Sequence, residues 1–236
     1  ENFGAPDCGV PLTRFNYHPT RQPIVLDWWK AVTRSASELK GQANVRPCYT
    51  TIAKWRQPGK DIEWNAETYS WSKHVEFVKF IDLPRQSEQE FELALAWEDE
   101  EDEEAIPQLT SHGWRVIDAI SLSLNMAPYR EYILGSRGEF TVAKDQNIRL
   151  RSGWFSDRSA CYLAAGKPVV TQDTAFGNTL PTGRGLFAFR NMADILAAID
   201  TIQSDYARHC RAAREIAEEY FDAENVLRSL IERVGL

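Results

Sequence analysis

The sequence predicts an α/β fold with a parallel sheet, and three observations carry that expectation. Strand-like and helix-like segments alternate along the chain, and a parallel pair of strands needs a connection long enough to hold a helix. Segments such as KPVVTQD (167–173) are apolar in the manner of strands covered on both faces. The 236 residues, 43% hydrophobic and 26% charged, suffice for a core without staples and match ordinary soluble usage.

Residues 1–23, rich in Gly, Pro, Asn and Thr, read as an extended, linker-like segment. PIVLDWWKAV (23–32) suits a strand or short helix, and NVRPCYTTIAKW (44–55) a strand. RQPGKDIEWN (56–65) reads as loop. In TYSWSKHVEFVKFIDL (68–83), helical spacing places Trp71, Val75, Val78 and either Phe77 or Ile81 on one face, with Ser70 as a possible cap. FELALAW (91–97) reads as strand, EEAIPQLTSHG (103–113) as a short helix and WRVIDAISL (114–122) as strand. Next come a helix in APYREYILGS (127–136) with Pro128 near its first turn, a short strand in GEFTVAK (138–144), and a small-residue helix in FSDRSACYLAAG (155–166) closed by Gly166. After KPVVTQD and GLFAF (185–189), two or three helices finish the chain.

The formal charge of -7 argues against duplex nucleic acid as the main partner, although removing the acidic run Glu98–Glu104 leaves twenty-seven acids against twenty-seven bases. The run lacks the glycine turn of a calcium loop and reads as a solvated loop. Cys8, Cys48, Cys161 and Cys210 are widely spaced, which points away from a zinc knuckle or disulfide scaffold and towards a reducing compartment, the cytoplasm. No apolar run is long enough for a membrane helix. There is no GxxxxGK[ST] loop, no G-x-S-x-G elbow and no HExxH pair. His18, His74, His112 and His209 are scattered and read as surface or packed residues, so no catalytic base is assigned.

In an open parallel sheet, ligands sit beyond the carboxyl ends of the strands, so function is expected in the loops after CYTTIAKW, WRVIDAISL, GEFTVAK and KPVVTQD. The richest of these regions sets Lys144, Arg149, Arg151 and Arg158 beside Ser152, Ser156 and Asp157, just before a helix. Unpaired amide hydrogens and the helix dipole make such a place suitable for phosphate. Capping by Ser156 and surface pairing of Arg158 are the structural alternative.

The run from helix through YLAAGKPVV to QDTAFGNTLPTGRGLFAF and a helix with AAID resembles the carboxy-terminal half of GT-B glycosyltransferases, as does the tail DYARHCRAAREIAEEYFDAENVLRSL. The likeness follows element order from Cys48 to Leu236 and is densest from Gly138 to Phe189. It implies that residues 24–236 form a Rossmann-like domain binding a nucleotide-diphosphate sugar as donor substrate, with no further cofactor and no metal. By the resemblance, Ser156, Asp157 and Arg158 approach the donor's diphosphate or sugar, and Lys54 and Lys144 reach the same phosphates. Asp173 and Thr174 face the cleft, or else simply form a turn. The acceptor is unspecified, and an amino-terminal GT-B domain is expected upstream. Of two glutamates often found eight positions apart in retaining members, Glu139 stands at the first place but Asn147 at the second. Trp55 and Trp64 are candidate ligand-stacking residues, whereas Trp71 reads as core. The competing readings are a nicotinamide-dependent oxidoreductase, opposed by the lack of G-x-G-x-x-G after the first strand, and a non-catalytic α/β binding module.

Overall fold

The computed structural model describes residues 20–30, 48–97 and 104–235. Residues 1–19 and the acids Glu98–Glu103, with the expectations attached to them, lie outside it. Its centre is a six-stranded parallel sheet: β1 (Cys48–Lys54), β4 (Glu90–Ala96), β5 (Arg115–Asp118), β6 (Gly138–Thr141), β7 (Val169–Gln172) and β8 (Leu186–Phe189). The spatial order is β5-β4-β1-β6-β7-β8. The chain thus winds outward in one direction from β1, then returns to add β6 on the other side. This doubly wound order creates a crevice where the direction reverses, between β1 and β6.

β6 and β7 are buried at every position, as two-faced packing requires of central parallel strands, whereas the edge strand β5 is half-exposed. Successive side chains feed opposite layers. Phe140, Val170 and Phe187 join Phe77, Phe91, Trp114 and Phe189 on one face. Val169 and Leu186 join Tyr162, Leu163, Phe176 and Phe221 on the other.

The crossovers carry α1 (His74–Val78), α2 (Leu83–Gln86), α3 (Ala105–Ser111), α4 (Ala119–Ser123), α5 (Met126–Gly135), α6 (Asp145–Arg149) and α7 (Asp157–Ala164). After β8 come α8 (Met192–Ser204), α9 (Tyr206–Tyr220) and α10 (Ala223–Val234). Asn191, Asp205 and Asp222 start these three helices by accepting the amides of Asp194, Arg208 and Asn225. Gly166, at φ +66, closes α7 as the sequence predicts.

Four expectations need correction. WRVIDAISL is half strand: β5 stops at Asp118, whose carboxylate caps α4 through the amides of Ile120 and Ser121 at 2.9 and 3.0 Å. The presumed loop 56–65 enters a hairpin of β2 (Ile62–Trp64) and β3 (Glu67–Tyr69), turned by Asn65 and Ala66 at positive φ. The helix expected across 68–83 is only the short α1, and its inward face is Glu76 and Phe77, while Val75 and Val78 are exposed. Ser70 does not cap it, since the residue before the helix is Lys73.

Of the segment 23–32, the described residues 23–30 contain a 3-10 turn at Leu26–Trp29, and Ile24 bridges in parallel to Asp222. Ahead of it, Arg21 and Gln22 donate to the carbonyls of Thr179 and Phe155. Residues 20–30 therefore strap onto the body, with Trp29 buried in the second layer.

Candidate functional site

At the carboxyl end of β1 the chain leaves the sheet through Lys54, Trp55 and Arg56; at the end of β6 it leaves through Val142, Ala143 and Lys144. The start of α7 stands over the same crevice, because Arg158 reaches back between the two strands. Its Nε bonds Glu139 Oε1 at 2.6 Å, one Nη reaches the Ile52 carbonyl, and the other Nη lies 2.9 Å from Thr141 Oγ1. Arg158's side chain is 11% exposed and Glu139's fully buried. Burial works against the guanidinium's charge, but the adjacent carboxylate outweighs it and leaves the Arg158 pKa raised. Arg158 is thus a tie across the crevice floor, its three guanidinium bonds made to the protein, and its partner is a buried acid rather than the surface one considered from sequence.

Lys144 is half-buried and available at the rim. Its ammonium donates to Gln57 Oε1 at 2.6 Å and sits 3.6 Å from the Trp71 ring centroid. Partial burial and nearby Lys60 pull its pKa down to about 8. Lys54, at the mouth of β1, is also half-buried and has partners of its own.

Arg149 turns the other way, pairing with Glu67 and Asp145, donating to the Thr68 carbonyl at 2.8 Å and stacking on Tyr69. It pins the hairpin to α6, helped by Gln146 Nε2, which donates to the carbonyls of Lys60 and Tyr69. Arg151 lies between α6 and α7 at φ +50, half-buried and partnered.

Ser156 occupies the N-cap position of α7 but makes no side-chain cap; its hydroxyl points to Asp157 Oδ1 at 3.4 Å. The same Asp157 oxygen accepts the Arg158 amide at 2.9 Å. Asp173 follows the turn alternative: one oxygen accepts the Ala175 amide at 2.7 Å and the other binds Arg190. Thr174 is buried and fastens the loop before α7, its hydroxyl donating to the Trp154 carbonyl at 2.6 Å and its carbonyl accepting the Gly153 amide at 2.7 Å. Trp55 is core, stacked on Phe77 at 5.8 Å, so its reading as a ligand contact is corrected. Trp64 is 54% exposed on the hairpin, and Trp71 lies half-buried beneath Lys144.

The residue that sequence reasoning missed is Lys73. It is 7% exposed, its Nζ is 3.4 Å from Thr141 Oγ1, and it lies 5.5 Å from the Trp154 ring centroid. Burial, reinforced by the Arg158 cation, pushes its pKa well down against the opposing pull of Glu139. A signal existed: Lys73 is four residues before Phe77 and therefore shares its inward face. Placing Val75 and Val78 inward hid it. Beneath it, Glu76 binds Lys79 at 2.6 Å and accepts from Gln172 at 2.8 Å, and Gln172 accepts the Ala143 amide at 3.2 Å. This relay fixes the backbone just where β6 opens into the crevice.

The site is therefore a switch-point crevice of a Rossmann-like domain, with two lysines converging on the end of β6. A groove of about 400 Å³ lies elsewhere, between the strap and α10, lined by Arg21, Tyr220, Val226 and Leu230; none of the crevice residues borders it.

No protein-family model and no curated protein matches the chain. Solved structures do. Anabaena HepE in complex with UDP-glucose superposes with a TM-score of 0.58 at 16% identity, over 91% of this chain and 56% of that one. A glycosyltransferase from Rickettsia africae ESF-5 gives 0.57 at 11% identity, over 90% and 55%. Sucrose-phosphate synthase from Thermosynechococcus elongatus gives 0.51 at 13% identity, over 90% and 51%. The chain spans a little over half the length of these structures, and its fold is that of one half of a GT-B glycosyltransferase.

Proposed function

We propose that the chain is the donor-binding half of a glycosyltransferase, holding a nucleotide-diphosphate sugar in the β1/β6 crevice while the sugar passes to an acceptor presented by an upstream domain. The observation that carries this reading is the convergence of Lys73 and Lys144 on the end of β6, beside the start of α7. In such a transfer the bond from the anomeric carbon to the diphosphate breaks, a bond to an acceptor oxygen forms as its hydroxyl proton passes to a base or to the departing diphosphate, and the leaving diphosphate gains charge. Fixed cations in a partly dry crevice stabilise that charge.

In this reading Lys73, Lys144 and Lys54 face the phosphates, while the amides around Ser156 and Asp157, with Arg151 nearby, border the nucleotide or sugar. Arg158, Arg149 and Thr174 shape the cradle from behind through their bonds to the protein, and Asp173 with Arg190 shapes its rim. The donor is a substrate that needs no added cofactor or metal for binding, and the setting is cytoplasmic. The Trp-Arg-Gln-Pro-Gly exit from β1 gives a nicotinamide pyrophosphate no glycine-rich turn, which disfavours the oxidoreductase.

Calorimetric titration with UDP-glucose, GDP-mannose and dTDP-glucose tests the proposal. Saturable binding of at least one, weakened by Lys144→Gln, is the expected result. A folded protein that binds none of them would turn the reading to a non-catalytic binding module.

A further inference from the structure

Lys73 is placed where a lysine has little reason to keep its charge. From β6 it is faced by the Thr141 hydroxyl, a neutral acceptor at 3.4 Å, and by Glu139, whose charge is already engaged by Arg158. From the start of α7 come the Arg158 cation and, on the exposed first turn, Asp157; from the β6–α6 junction comes Lys144. The loop before α7 contributes the Trp154 ring. No carboxylate among the described residues lies within ion-pair distance of its amine, and a buried ammonium without such a partner readily gives up its proton.

We propose that Lys73 is a neutral amine in the free protein and becomes an ammonium when a diphosphate enters the crevice, so that donor binding takes up about one proton. This rests on the donor-site reading and adds to it a linkage between binding and pH. The arriving phosphate oxygens supply the anionic partner that the site lacks, and the proton comes from solvent. The lowered pKa of the free amine agrees with this arrangement. Donor affinity is then highest in acid and falls as pH rises from the free amine's depressed pKa towards that of the complex.

The test is calorimetry of the 236-residue chain with the same three nucleotide sugars, whose diphosphate diesters hold no proton that titrates near neutrality. Each is titrated at about pH 7 in PIPES and in imidazole, buffers of small and large ionisation enthalpy, at equal ionic strength. At that pH Lys144, with its pKa of about 8, is already mostly charged. The expected result is an observed heat that differs between buffers by about one buffer ionisation per donor bound. In Lys73→Met the difference disappears and binding weakens by about tenfold or more. In Lys73→Arg, which is always charged, the difference disappears while binding persists. Equal heats in the two buffers for the unsubstituted chain would overturn the linkage and leave the donor site standing, as would uptake that survives in Lys73→Met. Absence of binding by every donor would overturn the donor-site reading and the linkage together.

Discussion

Arg158 and Glu139 meet at 2.6 Å on the floor of the crevice, tying the first turn of α7 to β6 while a second guanidinium nitrogen holds the carbonyl of Ile52 on β1. The two strands that diverge to form the crevice are thus cross-linked by one side chain. Removing the cation strands a buried carboxylate, which typically costs about 3–5 kcal/mol. Arg158→Met is expected to lower unfolding free energy by that order in urea denaturation. The double variant Arg158→Met with Glu139→Gln should recover part of the loss, and an additive double variant would refute the coupling.

His209 predicts an acid-side loss of stability. It is buried on α9, its Nδ1 accepts the Gly185 amide at 3.2 Å, and its ring lies 5.4 Å from Phe187. Burial first, then the neighbouring Arg208 and Arg184 cations, lower its pKa below 6.5. Between that depressed value and 6.5 the unfolded chain holds more protons than the folded one. The contribution is therefore complete above 6.5 and declines as pH falls. Melting temperature measured across this range should drop less steeply in His209→Asn than in the unsubstituted chain.

Gly185 sits at φ +75, where a Cβ would stand 2.4 Å from the Ala213 nitrogen. Substitution by alanine combines a left-handed backbone penalty with a backbone clash that no rotamer relieves. We expect Gly185→Ala to destabilise by roughly 3 kcal/mol or more, and Gly183→Ala, at φ +92 with open space around it, to cost only about 1 kcal/mol. Equal losses in thermal denaturation would show that contact with α9 is not the cause.

Phe140 is the hub of the aromatic layer, stacked on Phe189 at 5.5 Å and edge-on to Phe91 at 5.9 Å and Phe77 at 6.4 Å. Phe140→Ala should cost about 3–5 kcal/mol and Phe140→Leu less, measured by equilibrium unfolding.

Lys144 gives a second pH signal beside that of Lys73. Its charge fades as pH rises through about 8, so the donor affinity of the unsubstituted chain should weaken there. Lys144→Gln should bind less tightly at neutral pH, by about tenfold, and should lack that part of the decline above pH 8. A variant with unchanged affinity would place Lys144 outside the site.

The strands were legible because their chemistry is local. Val169 and Val170, bounded by Pro168 and Asp173, can scarcely be anything but a covered strand, and small residues leading to Gly166 specify a helix and its end. The hairpin at 62–69 was not, because a short exposed ladder buries no apolar stripe and its turn uses Asn65-Ala66 rather than Asn-Gly. The failure in α1 has the same origin: five residues contain too little periodicity to separate Val75 from Phe77.

The sequence by itself determined the alternation of strands and helices, the helix end at Gly166, and the gathering of cations between Lys144 and Arg158. Tertiary structure alone decided what those cations do, because charge becomes binding capacity or scaffold only through its partners. Arg158 was drawn inward by Glu139 and Arg149 outward by Glu67, while Lys73, nineteen positions after Lys54 in the connection from β1 to β4, met the crevice because the chain returns from β5 to lay β6 beside β1. That adjacency comes from strand order, a relation between residues far apart in the chain that no local pattern encodes.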